Sequence, residues 1–372
     1  MSHARPDIVI LGLSLSSSWG NGHATTYRAL IRGLRANGKR VLFLERDVPW
    51  YAAHRDLADP DFCDLAYYSE IDAMLAQHGE ALRQADAVIV GSYVPDGVAL
   101  IDRLSALRPR RLCFYDIDTP VTLAGLDRGE EDYLARRQIP LFDACFSFSG
   151  GEVLTRLERQ YGARRALALY CSVDADRYGA TGEACRWDLG YLGTYSPDRQ
   201  PTLEALLIEP ARRLPHLRFV VAGPQYPAGI DWPDNVERID HLPPEAHPGF
   251  YSRQRFTLNV TRADMIAAGW SPSVRLFEAA ACATPIISDR WRGLEDLFPA
   301  GRAIVIAQGP DDVVRALART DEEERRRLGE TARRIVLEGH TGLVRAHELA
   351  SAIAALPDGA AGPQTRLQQV SA

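Results

Sequence analysis

Two series of short, uninterrupted apolar runs, separated by amphipathic stretches, constrain this chain more than any other feature. The first series lies at 7–13 (DIVILGL), 40–44 (RVLFL), 87–90 (AVIV), 112–115, 144–148 and 166–170. Helical spacing fills the gaps at 23–36, 71–84 and 98–107. Runs that are apolar at consecutive positions suit strands buried on both faces, the condition of a parallel sheet covered by helices. After a polar stretch at 174–187 the pattern restarts, with strands at 188–192, 217–222, 256–260, 285–288 and 303–306. Helices are expected there at 203–214, 274–282, 311–318 and 321–338. At 372 residues the chain has length for two such units. The expected fold class is therefore α/β, two Rossmann-like domains whose parallel sheets face a central cleft. The expected boundaries are 1–178, 179–342, a helix over 343–356 packing back on the first domain, and a disordered tail over 357–372.

A net charge of −6 gives no global basic field to recruit nucleic acid or an anionic membrane. Cys63, Cys113, Cys145, Cys171, Cys185 and Cys282 form no CxxC pair. Several sit in apolar strings such as RLCFYD, so reduced, buried thiols are expected rather than a metal site or disulfides. The first apolar run breaks into serines with no small-residue cleavage site, and no stretch approaches the roughly 18 apolar residues of a membrane span. A cytoplasmic protein with no integral membrane segment and no nucleic-acid partner is expected.

The string SPSVRLFEAAACATPIISD, 271–289, carries the most chemistry. Ser271 suits a helix N-cap and Pro272 the first helical position, which would leave the amides of Ser273 and Val274 free to meet a diphosphate. Arg275 and Glu278, three residues apart, share a helix face, with Val274, Phe277 and Ala281 on the packing face. Glu278 then lies about 9 Å along the axis from Pro272. A carboxylate there could accept two ribose hydroxyls; a surface Arg–Glu pair is the equal alternative. Upstream, LGTYSPDRQP places Gly193, Thr194, Tyr195 and Ser196 in a small-residue turn after a strand, with Arg199 supplying charge to a phosphate. Main-chain groups around His241 and Leu242 could pair with a nucleobase edge.

These strings, with RFVVAGP and RWRGLEDLF, resemble the group 1 glycosyltransferases of the GT-B fold, and in particular their CgeB-like branch. The first half is similar through DIVILGLSLSSSWGNGHATTYRAL and YCSVDADRY. The resemblance implies that Glu278 holds the donor ribose and that Arg199 with the 193–196 loop faces the diphosphate. Retaining members carry a second Glu eight positions earlier, contacting the sugar. Here that position is Trp270, so sugar contacts and stereochemical outcome do not carry over.

In the loop after the first strand, Gly12, Gly20 and Gly22 fail the GxGxxG spacing, so nicotinamide chemistry is unsupported. The glycines turn the chain into a helix starting near His23, placing Asn21, Gly22 and His23 at the carboxyl edge of the sheet. His23 is the candidate base and Asp118 its orienting or acceptor-binding partner; Asn21 and Gly22 are candidate acceptor contacts. Asp116 and Asp118 form a D-x-D too common to carry a metal assignment. Trp19, Trp50, Tyr51 and Trp291 could stack on a sugar or an apolar acceptor, or serve as packing.

The function expected is metal-independent transfer of a sugar from a nucleotide-diphosphate donor to a glycan, protein or small-molecule acceptor. No cofactor is expected beyond the nucleotide-sugar co-substrate, whose base is open. A hydrolase or epimerase of the same fold, and a non-catalytic nucleotide-sugar-binding coat protein, remain open at this point.

Overall fold

The computed structural model describes residues 5–19 and 22–357. The expectations for Asn21 and for the tail beyond 357 lie outside the described residues. The chain divides into two compact units: residues up to Tyr170 together with those from Gly342 onward, and Cys171–Thr341. The boundary expected after 178 thus falls earlier. Residues 171–178 are tied into the second unit, where the Val173 amide donates to the His340 carbonyl at 3.1 Å and the Tyr178 hydroxyl to Glu278 at 3.0 Å.

Among the described residues the first unit contains seven strands: β1 (Ile8–Gly12), β2 (Val41–Arg46), β3 (Asp64–Tyr68), β4 (Ala87–Gly91), β5 (Leu112–Asp116), β6 (Ala144–Ser147) and β7 (Ala166–Ala168). They pair in parallel in the order β3-β2-β1-β4-β5-β6-β7, with Ile8 beside both Val41 and Ala87. β1, β4 and β5 are buried at every position, as their continuous apolar runs require. The helix Gly342–Ala354 lies on the helix Gly22–Ala36 of this unit. Their backbones approach so closely that a Cβ on Gly33 would overlap the Gly342 carbonyl. Arg111 secures the far end, donating to the Leu356 carbonyl at 3.2 and 3.0 Å.

The second unit repeats the plan with β8 (Trp187–Leu192), β9 (Phe219–Ala222), β10 (Val236–Ile239), β11 (Gln254–Asn259), β12 (Ile286–Ser288) and β13 (Val305–Ile306). Their order is β10-β9-β8-β11-β12-β13, again parallel. Phe219, Val221, Leu258 and Ile287 meet Leu203 and Leu207 in its core, each burial contributing about 1.5–3 kcal/mol. In each sheet the strand order reverses beside the first strand, at β1/β4 and at β8/β11. Such reversals open a crevice at the carboxyl ends of the strands.

Among the described residues no helix is long and apolar enough to cross a membrane. Cys113, Cys145, Cys171 and Cys282 are buried; Cys185 is exposed and Cys63 half-buried, contrary to the expectation of uniform burial.

Candidate functional site

At the β8/β11 crevice, the loop after β8 is fixed from below. The Gly193 and Tyr195 amides donate to the Ala222 and Pro224 carbonyls at 2.8 and 3.0 Å. Gly223 (φ +140°) permits this approach, because a Cβ there would overlap the Gly193 carbonyl. The Gly193 and Tyr195 amides are thus used by β9 and its loop. The loop instead brings cations together. Arg275 donates through Nε to the Leu192 carbonyl and through Nη1 to Asn259 Oδ1 at 3.1 Å, its guanidinium 4.8 Å from the Tyr191 ring centre. Arg199 donates through Nη2 to the Thr194 carbonyl at 2.6 Å, while its buried Nε has no acceptor.

Burial pulls the Arg199 pKa down, and the charges of Arg275 and Arg262 lower it further against the opposing pull of Tyr191. The nearby carboxylates are committed elsewhere. Asp198 accepts the Ala263 amide at 3.0 Å, and Asp289 accepts the Thr261 amide and hydroxyl at 2.8 and 2.7 Å. Burial raises the Asp289 pKa despite those donors. Asp198 feels the charges of Arg262 and Arg199, and Asp289 that of Arg275, but neither carboxylate spends a hydrogen bond on them.

The helix Val274–Ala281 starts later than expected. Ser271 Oγ turns back to the Gly269 carbonyl at 2.7 Å, Ser273 is the N-cap residue in extended conformation, and Ser273 Oγ donates to Asn259 Oδ1 at 2.9 Å. The first-turn amides are thus those of Val274 and Arg275, directed from the same helix end as the cluster. Every residue from Arg275 to Ala281 is buried, which rules out a solvent-facing Arg–Glu pair.

Glu278 serves a different set of partners. Its carboxylate accepts the hydroxyls of Tyr178 and Tyr251, each at 3.0 Å, and lies 3.8 Å from His247 Nδ1. Burial pushes the Glu278 pKa up, but His247 and the two tyrosines more than offset it and hold the carboxyl below its ordinary value. For His247, burial favours the neutral ring, yet Glu278 and the Leu242 carbonyl leave its pKa raised. His247 Nε2 faces that carbonyl at 3.3 Å, and a carbonyl only accepts, so Nε2 carries a proton. The Leu242 carbonyl is therefore engaged by the protein, while the His241 side chain is exposed. Trp270, in a left-handed conformation at φ +42°, donates to Asp296 at 2.9 Å with Arg292 over its ring. Residue types alone gave no sign of Tyr178, Tyr251, His247, Asn259 or Arg262. Tyr178 lies in YCSVDADRY, one of the strings that carry the resemblance.

The β1/β4 crevice of the first unit is built with opposite charge. Glu45, fully buried at the end of β2, accepts the Leu15 and Ser16 amides at 2.7 and 2.9 Å and the Ser14 and Ser16 hydroxyls at 3.0 and 2.6 Å. Asp56 accepts the Ser18 amide at 2.8 Å and pairs with Arg28 at 2.8 Å through both oxygens. This clamped loop leads to Gly22, first residue of the helix Gly22–Ala36, and to His23, 8% exposed. His23 Nε2 stands 3.6 Å from Asp118 Oδ2, and its ring meets the edge of Tyr93 at 5.5 Å. Tyr93, two residues past the end of β4, holds φ at +61°, a strained value for a non-glycine residue.

Asp116 accepts the Asp118 amide at 3.1 Å. It is buried and accepts the Thr122 hydroxyl at 2.9 Å, and burial pushes its pKa up to about 7. Among the described residues no group of three or more His, Cys, Asp or Glu is disposed to hold a metal ion. Trp291 is buried as packing; Trp19 and Trp50 are exposed.

With this geometry in hand, a family model described as glycosyl transferase-like matches residues 199–351, which include Arg199, Arg262, Arg275 and Glu278. Sucrose-phosphate synthase from Thermosynechococcus elongatus is similar in structure, with a TM-score of 0.68 at 14% identity over 93% of this chain and 98% of that one. HepE of Anabaena, solved in complex with UDP and glucose, has a TM-score of 0.67 at 12% identity over 95% and 100%. The fold is that of the GT-B glycosyltransferases. In sequence, 136 residues are 29% identical to D-inositol 3-phosphate glycosyltransferase of a Mycobacterium species, covering 33% of this chain. The match spans 29% of the length of that curated relative.

Proposed function

We propose that this protein is a group 1 glycosyltransferase of the CgeB-like branch, moving a hexosyl or related sugar from a nucleoside-diphosphate donor to an acceptor hydroxyl. One observation carries the reading: Arg199, Arg262 and Arg275 converge at the β8/β11 crevice with no carboxylate hydrogen-bonded to them among the described residues, and Arg199 Nε is buried without an acceptor. A donor diphosphate supplies the missing charge, and the first turn of the helix Val274–Ala281 adds its dipole. The guanidinia then stabilise the diphosphate as it leaves, the electrostatic task a metal ion performs elsewhere. That similarity extends to a neighbour solved with UDP and glucose supports the same reading.

Glu278 is proposed to receive the ribose by exchanging the Tyr178 hydroxyl for a ribose hydroxyl, with the base near His241 and Leu242. In the first unit His23 is proposed as the base that takes the acceptor proton, with Asp118 stabilising the resulting imidazolium. The buried thiols suit a reducing compartment, which is the basis for proposing a cytoplasmic enzyme.

The test is a thermal-shift screen of UDP, dTDP, GDP and ADP. One nucleotide is expected to stabilise the protein, and Arg199→Gln to remove most of that shift. No shift with any of the four would overturn the donor reading. His23→Ala is expected to keep the nucleotide shift and lower turnover by about 10²–10⁴-fold, read as donor consumption in the presence of acceptor.

A further inference from the structure

Two of the four large apolar side chains left exposed among the described residues stand together in the first unit. Trp19 is 41% and Trp50 59% exposed. Both contact one imidazole: His54 stacks on Trp19 at 4.9 Å and 17°, and lies tilted against Trp50 at 5.2 Å and 45°. The cluster is held rather than loose. His54 Nδ1 meets the Trp50 carbonyl at 2.8 Å, and Ser17 Oγ donates to the His54 carbonyl at 2.8 Å. Ser17 belongs to the loop that Glu45 clamps and that leads into His23. Exposed, pre-positioned indoles of this kind mark a binding surface rather than a packing remnant.

The surrounding charge selects the ligand. Residues 47–59 contain Asp47, Asp56 and Asp59 against a single arginine, Arg55. Arg55 is paired with Asp47, and Arg28 of the neighbouring helix with Asp56. The loop amides of Leu15 and Ser16, which could have received a phosphate, are filled by Glu45. An anionic lipid surface needs uncompensated cations, and a phosphorylated ligand needs free donors. This face offers neither. It offers flat apolar faces for the C–H side of a pyranose, and carboxylate oxygens that accept its hydroxyls.

We infer that Trp19 and Trp50 form an acceptor subsite for an uncharged saccharide. The inference rests on the transfer reading above, and it names the acceptor class that reading left open.

The test uses the full chain and four neutral trisaccharides, maltotriose, cellotriose, mannotriose and triacetylchitotriose, titrated calorimetrically, with phosphatidylcholine–phosphatidylglycerol vesicles as the competing partner. At least one trisaccharide is expected to bind, with Trp50→Ala and Trp19→Ala each weakening it about tenfold and Trp50→Phe keeping most of the affinity. The nucleotide-induced thermal shift should be the same in all variants, which reports that they fold and that the donor site is separate. Three results would overturn the inference: no trisaccharide binding, binding indifferent to both indoles, or vesicle binding that the alanine variants abolish. Saccharide binding with no nucleotide shift in the unmodified protein would instead sink the donor reading and leave the subsite standing.

Discussion

The loops that follow β1 and β8 occupy the same place in two copies of one topology, yet they are wired for opposite ligands. After β1, two backbone amides and two hydroxyls close on the carboxylate of Glu45, so the protein has built its own anion into the crevice. After β8 the Gly193 and Tyr195 amides are drawn down to β9 and its loop, and three arginines converge with no carboxylate clamped onto them. Topology decides where a ligand can bind, and a few side chains delivered by neighbouring strands decide its charge.

The sharpest way to break the contrast is to remove the built-in anion. Glu45→Ala leaves four buried donors without an acceptor and is expected to destabilise the first unit by about 3–5 kcal/mol, measured by urea unfolding. If the amides truly form an anion site, acetate should restore part of that loss in the variant and do nothing for the parent. Next in size is the opposite crevice. Arg199→Ala is expected to weaken nucleoside diphosphate binding by about 1.5–3 kcal/mol, or about 10–150-fold, by calorimetry. Stability without ligand should hardly fall, because the variant loses a buried charge crowded by two others.

A smaller effect concerns pH and the second unit alone. The His247 pKa is raised from 6.5, so its stabilising contribution is complete below about 6.5 and fades as pH rises through the raised value. The Glu278 pKa is lowered from 4.5, so its contribution is complete above about 4.5 and fades as pH falls through the lowered value. The pair therefore favours the fold most between those limits. In Glu278→Gln the decline in melting temperature above about pH 6.5 should flatten. The smallest expected change is in Tyr178→Phe, which removes the hydroxyl competing with ribose. It should tighten nucleotide binding by about 0.5–1 kcal/mol. Weaker binding would show that Tyr178 supports the ribose site rather than occupying it.

The central strands could be read from the sequence because burial on both faces forces continuous apolar runs. β3 and β10 could not, and both are sheet edges. Their residues DLAYY and VERI are mostly half-exposed, so no run forms. The helix of Arg275 and Glu278 was legible, but not where its end lay, since Ser271 and Ser273 both satisfy capping preference while their hydroxyls turn to Gly269 and Asn259. Spacing of three suggested that Arg275 and Glu278 act together. Full burial sends them to different partners instead. The Glu45 clamp had no local signature, because a single acid ending an apolar strand gains its meaning from serines some 30 residues away.

The helix Gly342–Ala354 has a consequence for biosynthesis. Because it completes the first unit after the whole second unit has been translated, the half that begins the chain is the last to finish folding. On the ribosome, Ala29 and Gly33 stay uncovered until a partner more than 300 residues downstream has been made.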